Sequence, residues 1–349
     1  MTAEIEIAGR RIGASHEPYV ICELSGNHNG SLDRALQMVD AAADTGCDAI
    51  KIQTYTADTI TLDVDRPEFR IHGGLWDGRS LYELYQEAHT PFEWHAALFE
   101  RAARRGVTLF SSPFDETAVD LLADLGAPAY KIASFEAVDL PLIRYAASRG
   151  KPLIISTGMA NLAEITAARD AALDAGAPGV LLLHCVSSYP ATFGDANVRT
   201  VADMAERFAC PIGLSDHTPG TAASVAAVAM GACAVEKHFT LARADGGPDA
   251  AFSLEPLEFK ALVRDTKDAW AALGKAHYDV LGSEGTSLLF RRSLYVTADV
   301  AAGETLSKDN VRSVRPGNGL PPAALDQVLG RPATRALTRG EPLAWDMVG

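Results

Sequence analysis

Two histidines and two lysines stand where their chemistry can converge. His217 and His238 each follow a short apolar run, in GLSDHT (213–218) and VEKHFTL (235–241). If those runs are neighbouring strands, the imidazoles approach one another. Such a pair, completed by water or a carboxylate, suits a divalent transition metal such as Mn, Fe or Zn. Hydrogen bonding to the rim of the fold is the alternative for either ring. Neither HExxH nor a cysteine-rich zinc pattern is present, which argues against structural zinc.

Lys51 and Lys131 occupy the same kind of position, in DAIKIQ (48–53) and YKIAS (130–134). An unpaired ammonium inside a fold is costly. A bound dianion such as phosphate, salt bridges to Glu136 or Glu236, or a Schiff-base role each accounts for them. Ser111, Ser134, Ser156, Ser187 and Ser215 recur after apolar runs and supply donors suited to phosphate oxygens, which favours the anion. Glu23 and Glu136 are acid–base candidates, although each alone is more often a structural ion pair.

The elements that must position these groups repeat one pattern. Short apolar runs at 19–24, 49–52, 107–110, 129–132, 153–155, 180–183, 212–214 and 233–235 alternate with amphipathic segments that stop at glycine. Runs apolar on both faces suit a parallel sheet covered by helices. In 31–45 the apolar side chains share one helical face, with Ser31 placed to cap and Gly46 to terminate. Eight strand–helix units over about 280 residues is the count of a (β/α)8 TIM barrel, whose active site lies at the carboxyl ends of the strands. A doubly wound sheet is the alternative, but no Gly-rich dinucleotide loop follows the first run. The second unit carries a long loop over 54–91, containing GGLWDGRSLYELYQEAHTP, which the spacing marks as a lid or substrate-binding insertion.

Composition narrows the function classes. With 48% hydrophobic and 22% charged residues the 349-residue chain can bury a large core. A net charge of −14, with no basic–aromatic stripe, argues against a nucleic-acid partner. The longest apolar stretch, 222–235, falls short of the ~20 residues of a membrane span. The opening MTAEIEIAGRR lacks the apolar segment of a signal peptide. Five scattered cysteines without CxxC read as reduced thiols of a cytoplasmic protein. Walker A and GxSxG motifs are absent. From Arg291 onward the pattern changes to short β-rich pieces and turns. That tail holds eight basic and six acidic residues, against a strongly acidic remainder, so it could dock on an acidic domain of its own or a partner's chain. These changes divide the chain into 1–283, a linker 284–290 and a small domain 291–349.

The segments CELSGNHNG (22–30), DAIKIQTYTADT (48–59), FSSPFDE (110–116), YKIASFE (130–136), ISTGMA (155–160), LLHCVSSYPA (182–191), GLSDHT and VEKHFTL together resemble the sialic acid synthase family. RSVRPGNGL (312–320) is similar to that family's C-terminal antifreeze-protein-like (SAF-type) domain. The resemblance runs in order along nearly the whole chain. Within the family, residues 73–91 and GGPDAAFSLEP (246–256) resemble the pseudaminic acid synthase branch, and CVSSYP stands where other branches usually read CTNxYP.

This resemblance implies a metal-dependent transferase. It would condense phosphoenolpyruvate with a 6-deoxy diacetamido sugar, 2,4-diacetamido-2,4,6-trideoxy-L-altrose, and release phosphate by C–O cleavage. It implies His217 and His238 as ligands of Mn2+, with Mg2+ or Co2+ as alternatives. Lys51, Ser111, Lys131, Ser134, Ser156, Ser187 and Ser215 would hold phosphoenolpyruvate, with Ser187 in place of an Asn common elsewhere. Gln53, Tyr189, Asp249 and Glu136 would face the sugar. Arg315 would reach across a domain-swapped homodimer to the partner's site. The alternatives are an N-acetylneuraminate or legionaminic acid synthase and, in another class, a non-catalytic sugar-binding protein.

Overall fold

Each of the eight apolar runs forms a strand in the structure, a computed structural model that describes residues 4–349. A short hairpin comes first, β1 (Ile5–Ile7) with β2 (Arg10–Ile12). The runs then become β3 (Tyr19–Glu23), β4 (Ala49–Thr54), β5 (Thr108–Pro113) and β6 (Tyr130–Ile132). β7 (Leu153–Ser156), β8 (Val180–Cys185), β9 (Ile212–Asp216) and β10 (Ala234–His238) complete the set. They pair in parallel in chain order and β10 closes on β3, giving the (β/α)8 barrel expected from the repeat.

Helices follow the strands. α1 (Leu32–Asp44) follows β3, with the Ser31 side chain accepting from the Arg34 amide as its cap. α2 (Ala57–Ile60) and α3 (Leu81–Ala88) lie in the long segment after β4. That segment is therefore not the uninterrupted loop that its spacing suggests: Ser80 and Glu83 form a capping box that starts α3. α4 (His95–Arg105) packs before β5 and ends at Gly106, whose φ of 67° is the left-handed turn that glycine adopts readily. α5 (Glu116–Asp124), α6 (Leu140–Ala147), α7 (Leu162–Asp174), α8 (Arg199–Arg207), α9 (Ala222–Ala229) and α10 (Pro256–Leu273) complete the outer layer.

Strand side chains alternate in direction with a period of two, so each strand divides its residues between barrel interior and helix layer. Tyr19, Ile21, Ala49, Phe110, Ile154, Leu181 and Leu183 form one buried cluster inside. Ile5, Ile7 and Ile12 of the hairpin join that cluster. Val20, Cys22, Ile50, Ile52 and Leu109 pack instead with side chains of α1, α4 and α10. Each fully buried aliphatic or aromatic side chain contributes roughly 1.5–3 kcal/mol. Two residues further along each strand, the same inward alternation presents Glu23, Lys51, Ser112, Lys131, Ser156, Cys185, Ser215 and Glu236. The interior is thus apolar below and ionisable above.

A break between Gly274 and Lys275 separates a second compact unit. There β11 (Ser293–Val296) pairs antiparallel with β12 (Val311–Val314). Leu294, Val296, Val300, Leu306, Leu320, Val328, Leu337 and Leu343 form its core, with α11 (Leu325–Val328) contributing Val328. Arg315 follows directly on β12 and is exposed.

Candidate active site

The carboxyl ends of the barrel strands surround a cavity of about 610 Å3. Lys51, Gln53, Lys131, Ser134, Glu136, Ser156, Ser187, Tyr189, Ser215, His217, His238 and Asp249 all line it. Strand pairing explains the convergence: Glu23 is in register with both Lys51 and His238, and Glu236 with Ser215.

The two lysines are not equivalent. Lys51 Nζ lies 2.8 Å from Glu23 and 3.5 Å from Glu236. Burial works against its charge, yet these carboxylates hold its pKa above the ordinary range. Lys131 Nζ donates to the carbonyl of Ile132 at 3.0 Å and has no ion pair among the described residues. Burial pushes its pKa down. The Ser156 hydroxyl, 1% exposed, has no hydrogen-bond partner among the described residues. A buried ammonium and a buried hydroxyl with unused capacity, in one cavity, describe a site for an anion. Ser134 and Ser187 flank it, held close by the small residue between them. Gly158 has φ +47°, and a Cβ there would collide with Ser134 Cβ and meet Ser187 Oγ at 2.8 Å.

Two serines depart from the expected role. Ser111 is turned out of the barrel: its hydroxyl lies 2.6 Å from Thr54 Oγ1 and donates to the Ile52 carbonyl at 3.0 Å. Thr54 in turn meets His95 of α4 at 2.8 Å. Ser111 therefore does not reach the cavity, and the alternation that turns Phe110 inward turns Ser112 inward instead, 3.4 Å from Lys51 Nζ. Ser215 lines the cavity but donates to Glu236 Oε1 at 3.2 Å.

The carboxylates separate by environment. Glu23 is fully buried beneath Lys51 and Gln53, and Gln53 Nε2 donates to it at 2.8 Å. Glu136 faces the cavity, its Oε2 has no partner among the described residues, and burial pushes its pKa up to about 7. For Glu236, burial opposes ionisation, but Lys131, Lys51 and His217 hold its pKa below the usual carboxylate range. From sequence Glu236 reads as one of the strand-end residues and a possible salt-bridge partner of the lysines, without an assigned role. Its position two residues before His238, on the same face of β10, was the signal that it belongs to the site.

The imidazole rings of His217 and His238 lie 5.3 Å apart between centroids. His217 Nδ1 donates to the Val186 carbonyl at 2.9 Å, so Nε2 is the atom that would take a metal; burial opposes the ring's charge, but Cys185 and that carbonyl raise its pKa, so metal binding there would displace a proton. Burial pushes the His238 pKa well down, so that ring is neutral, the form that binds metals. Among the described residues no three His, Cys, Asp or Glu side chains are grouped to hold a metal. The residues fit an ion held by two imidazoles and completed by water or substrate oxygens, rather than a closed structural site. The Tyr189 ring packs on His217 at 4.4 Å, and Asp249 Oδ2 stands 3.9 Å from His238 Nδ1. Asp249 also accepts from Ser25, which links it to Gln53. His184, by contrast, points away and meets the Ala196 carbonyl. Outside the barrel, Asp216 and Lys237 form a buried ion pair at 2.8 Å and take no part in the cavity.

A profile of the NeuB family matches residues 38–278, and one of the SAF domain matches residues 291–349. The chain is 44% identical over 325 residues to the pseudaminic acid synthase of Campylobacter jejuni serotype O:2, covering 93% of this chain and 95% of that protein. It is 35% identical over 342 residues to the N,N'-diacetyllegionaminic acid synthase of Legionella pneumophila, covering 96% of each. The solved N-acetylneuraminic acid synthetase of Leptospira borgpetersenii matches with a TM-score of 0.74 at 32% identity, over 82% of this chain and 96% of that one.

The anion reading is tested at Gly158. Gly158→Ala should lower stability by about 1–3 kcal/mol, through the unfavourable φ and the displaced serines. It should also weaken binding of inorganic phosphate. Urea unfolding and titration calorimetry measure the two effects, and unchanged phosphate affinity would contradict the assignment of Ser134 and Ser187.

Proposed function

The chain belongs to the NeuB family and ends in a SAF domain, and we propose that it acts as a pseudaminic acid synthase. It condenses phosphoenolpyruvate, 2,4-diacetamido-2,4,6-trideoxy-L-altrose and water into pseudaminic acid and phosphate. The observation that carries this reading is the free Lys131 ammonium and Ser156 hydroxyl facing two imidazoles in one cavity. The similarity to pseudaminic acid synthases over most of the chain supports the choice of acceptor.

Lys131, Lys51, Ser134, Ser156 and Ser187 hold the phosphate and carboxylate of phosphoenolpyruvate. C3 of the enol phosphate forms a bond to the aldehyde carbon of the open-chain sugar, whose C=O π pair moves to its oxygen and takes up a proton from solvent, and positive charge is left at C2. Glu236, ionised and with Oε2 unpartnered, stabilises that charge. Glu136 takes a proton from the water that adds at C2. The C2 hydroxyl then gives up its proton to solvent and closes to the ketone as the bond from C2 to the bridging oxygen breaks, and phosphate leaves with that oxygen. Glu23, enclosed beneath Lys51 and Gln53, orients those two side chains. Gln53, Tyr189 and Asp249 face the sugar. His217 and His238 are the residues that would hold the divalent cation, taken to be Mn2+, which when bound polarises the aldehyde oxygen. The insertion, tied by the Trp76 indole N–H to the Pro248 carbonyl at 3.0 Å, keeps bulk water from the cation at C2.

Residues 1–283 form the synthase domain in this reading, 284–290 the linker and 291–349 the small domain, with the SAF match beginning at 291 as support. The protein works as a homodimer in which Arg315 serves the partner's cavity. Its five free thiols support a cytoplasmic location.

Three measurements test this. Phosphoenolpyruvate carrying oxygen-18 in the bridging position should deliver its label to released phosphate; label retained in the nine-carbon product would contradict C–O cleavage. A base with a pKa of about 7 is active as its carboxylate, so kcat/KM should rise up to tenfold per unit as pH approaches 7 from below, then level. Glu136→Gln should abolish that limb and cost about 10²–10⁴-fold in rate; a limb surviving in the variant assigns it elsewhere. Finally, mixing inactive Arg315→Ala and Lys51→Ala chains should restore activity, because a heterodimer then holds one intact site. Proven heterodimers without activity would count against the crossover.

A further inference from the structure

The cavity is chemically divided. Its inner end, made by strand ends, holds Lys51, Lys131, Glu236, His217 and His238. Its outer end is built by the insertion after β4, which contributes Ile60, Ile71, Leu75, Trp76, Leu81 and Tyr85. The insertion is not apolar in composition: it carries ten Asp, Glu and Arg residues between Asp58 and Glu87. Among the described residues, none of those ten lines the cavity. Several pair with one another on the exterior, as in Arg66–Glu68, Arg70–Asp65 and Arg79–Glu87. The one donor of Trp76 is already used on the Pro248 carbonyl. A segment rich in charge thus turns an apolar face to the cavity.

The direction of the acceptor follows from the chemistry. Its aldehyde carbon must lie at the inner end, beside the enol phosphate and the imidazoles. Its sixth carbon is five bonds away and extends toward the insertion. A methyl there gains apolar contact. A hydroxymethyl would give up its water partners to a surface that offers few replacements. Resting on the functional reading above, we propose that Ile60, Ile71 and Leu81 form a specificity wall that selects a methyl-terminated acceptor over its hydroxymethyl counterpart.

The test compares 2,4-diacetamido-2,4,6-trideoxy-L-altrose with the otherwise identical 6-hydroxy sugar in the wild-type protein and in Ile71→Thr and Leu81→Asn. The wild type should favour the methyl form by about ten- to a hundredfold in kcat/KM. Both variants should bring that ratio toward one with the KM for phosphoenolpyruvate unchanged. A wild-type ratio near one overturns the proposal, as do variants that depress both acceptors equally. Calorimetric binding of the two borohydride-reduced alditols separates this proposal from the reaction itself, since alditols cannot condense. A matching affinity preference supports the wall even if no product forms, and equal affinities reject it even if product does.

Discussion

Two ammonium groups held almost without water inside a ring of strands set the conditions for the rest of the site. Removing a charge from water costs several kcal/mol unless a partner compensates. Lys51 has two carboxylates, Glu23 and Glu236, at 2.8 and 3.5 Å. Lys131 has one backbone carbonyl. The strands therefore deliver one neutralised lysine and one whose charge is left for an incoming anion. Lys131 also helps to hold Glu236 ionised, so replacing it by a neutral residue would remove the anion's counterpart and weaken the field on Glu236 together.

The same network separates the acidic groups. Glu23 lies under Lys51 and Gln53 with no face to the cavity. Glu236 sits among cations and stays ionised. Glu136, half-buried at the cavity wall with Oε2 unpartnered, has its pKa pushed up by burial to about 7. Identical functional groups acquire distinct tasks through dielectric and neighbouring charge, a general route to acid–base chemistry on one scaffold. The histidines follow a similar logic, since a backbone carbonyl orients His217 and burial keeps His238 neutral.

Rigid and variable parts divide the work. The reacting end is carried by hydrogen-bonded strand tips, whose positions are set by barrel closure. The far end is carried by the insertion, anchored through Trp76 and through its own capping box at Ser80. Changing the insertion can therefore alter which sugar fits without disturbing the groups that hold the enol phosphate, an arrangement suited to relatives that share chemistry but differ in acceptor.

Much of this was readable along the chain. Eight apolar runs, helical faces ending at glycine and polar residues just after each run are local patterns, and they determined the barrel, its count and the end that carries the chemistry. His217, His238, Lys51 and Lys131 were recognisable for the same reason. Strict alternation from Phe110 also contained the choice between Ser111 and Ser112, although the density of serines obscured it. Other features depend on long-range closure. The pairing of Lys51 with Glu23 and Glu236 exists because β10 returns to β3, the isoleucines of the hairpin reach the interior only once the barrel is closed, and the apolar face of a charge-rich insertion appears only when it folds over the cavity. Sequence determines what each short segment can do; which ammonium is paired, which carboxylate is left without a partner and which face turns inward were decided by tertiary structure, because Coulomb energy and desolvation depend on distances in space rather than along the chain.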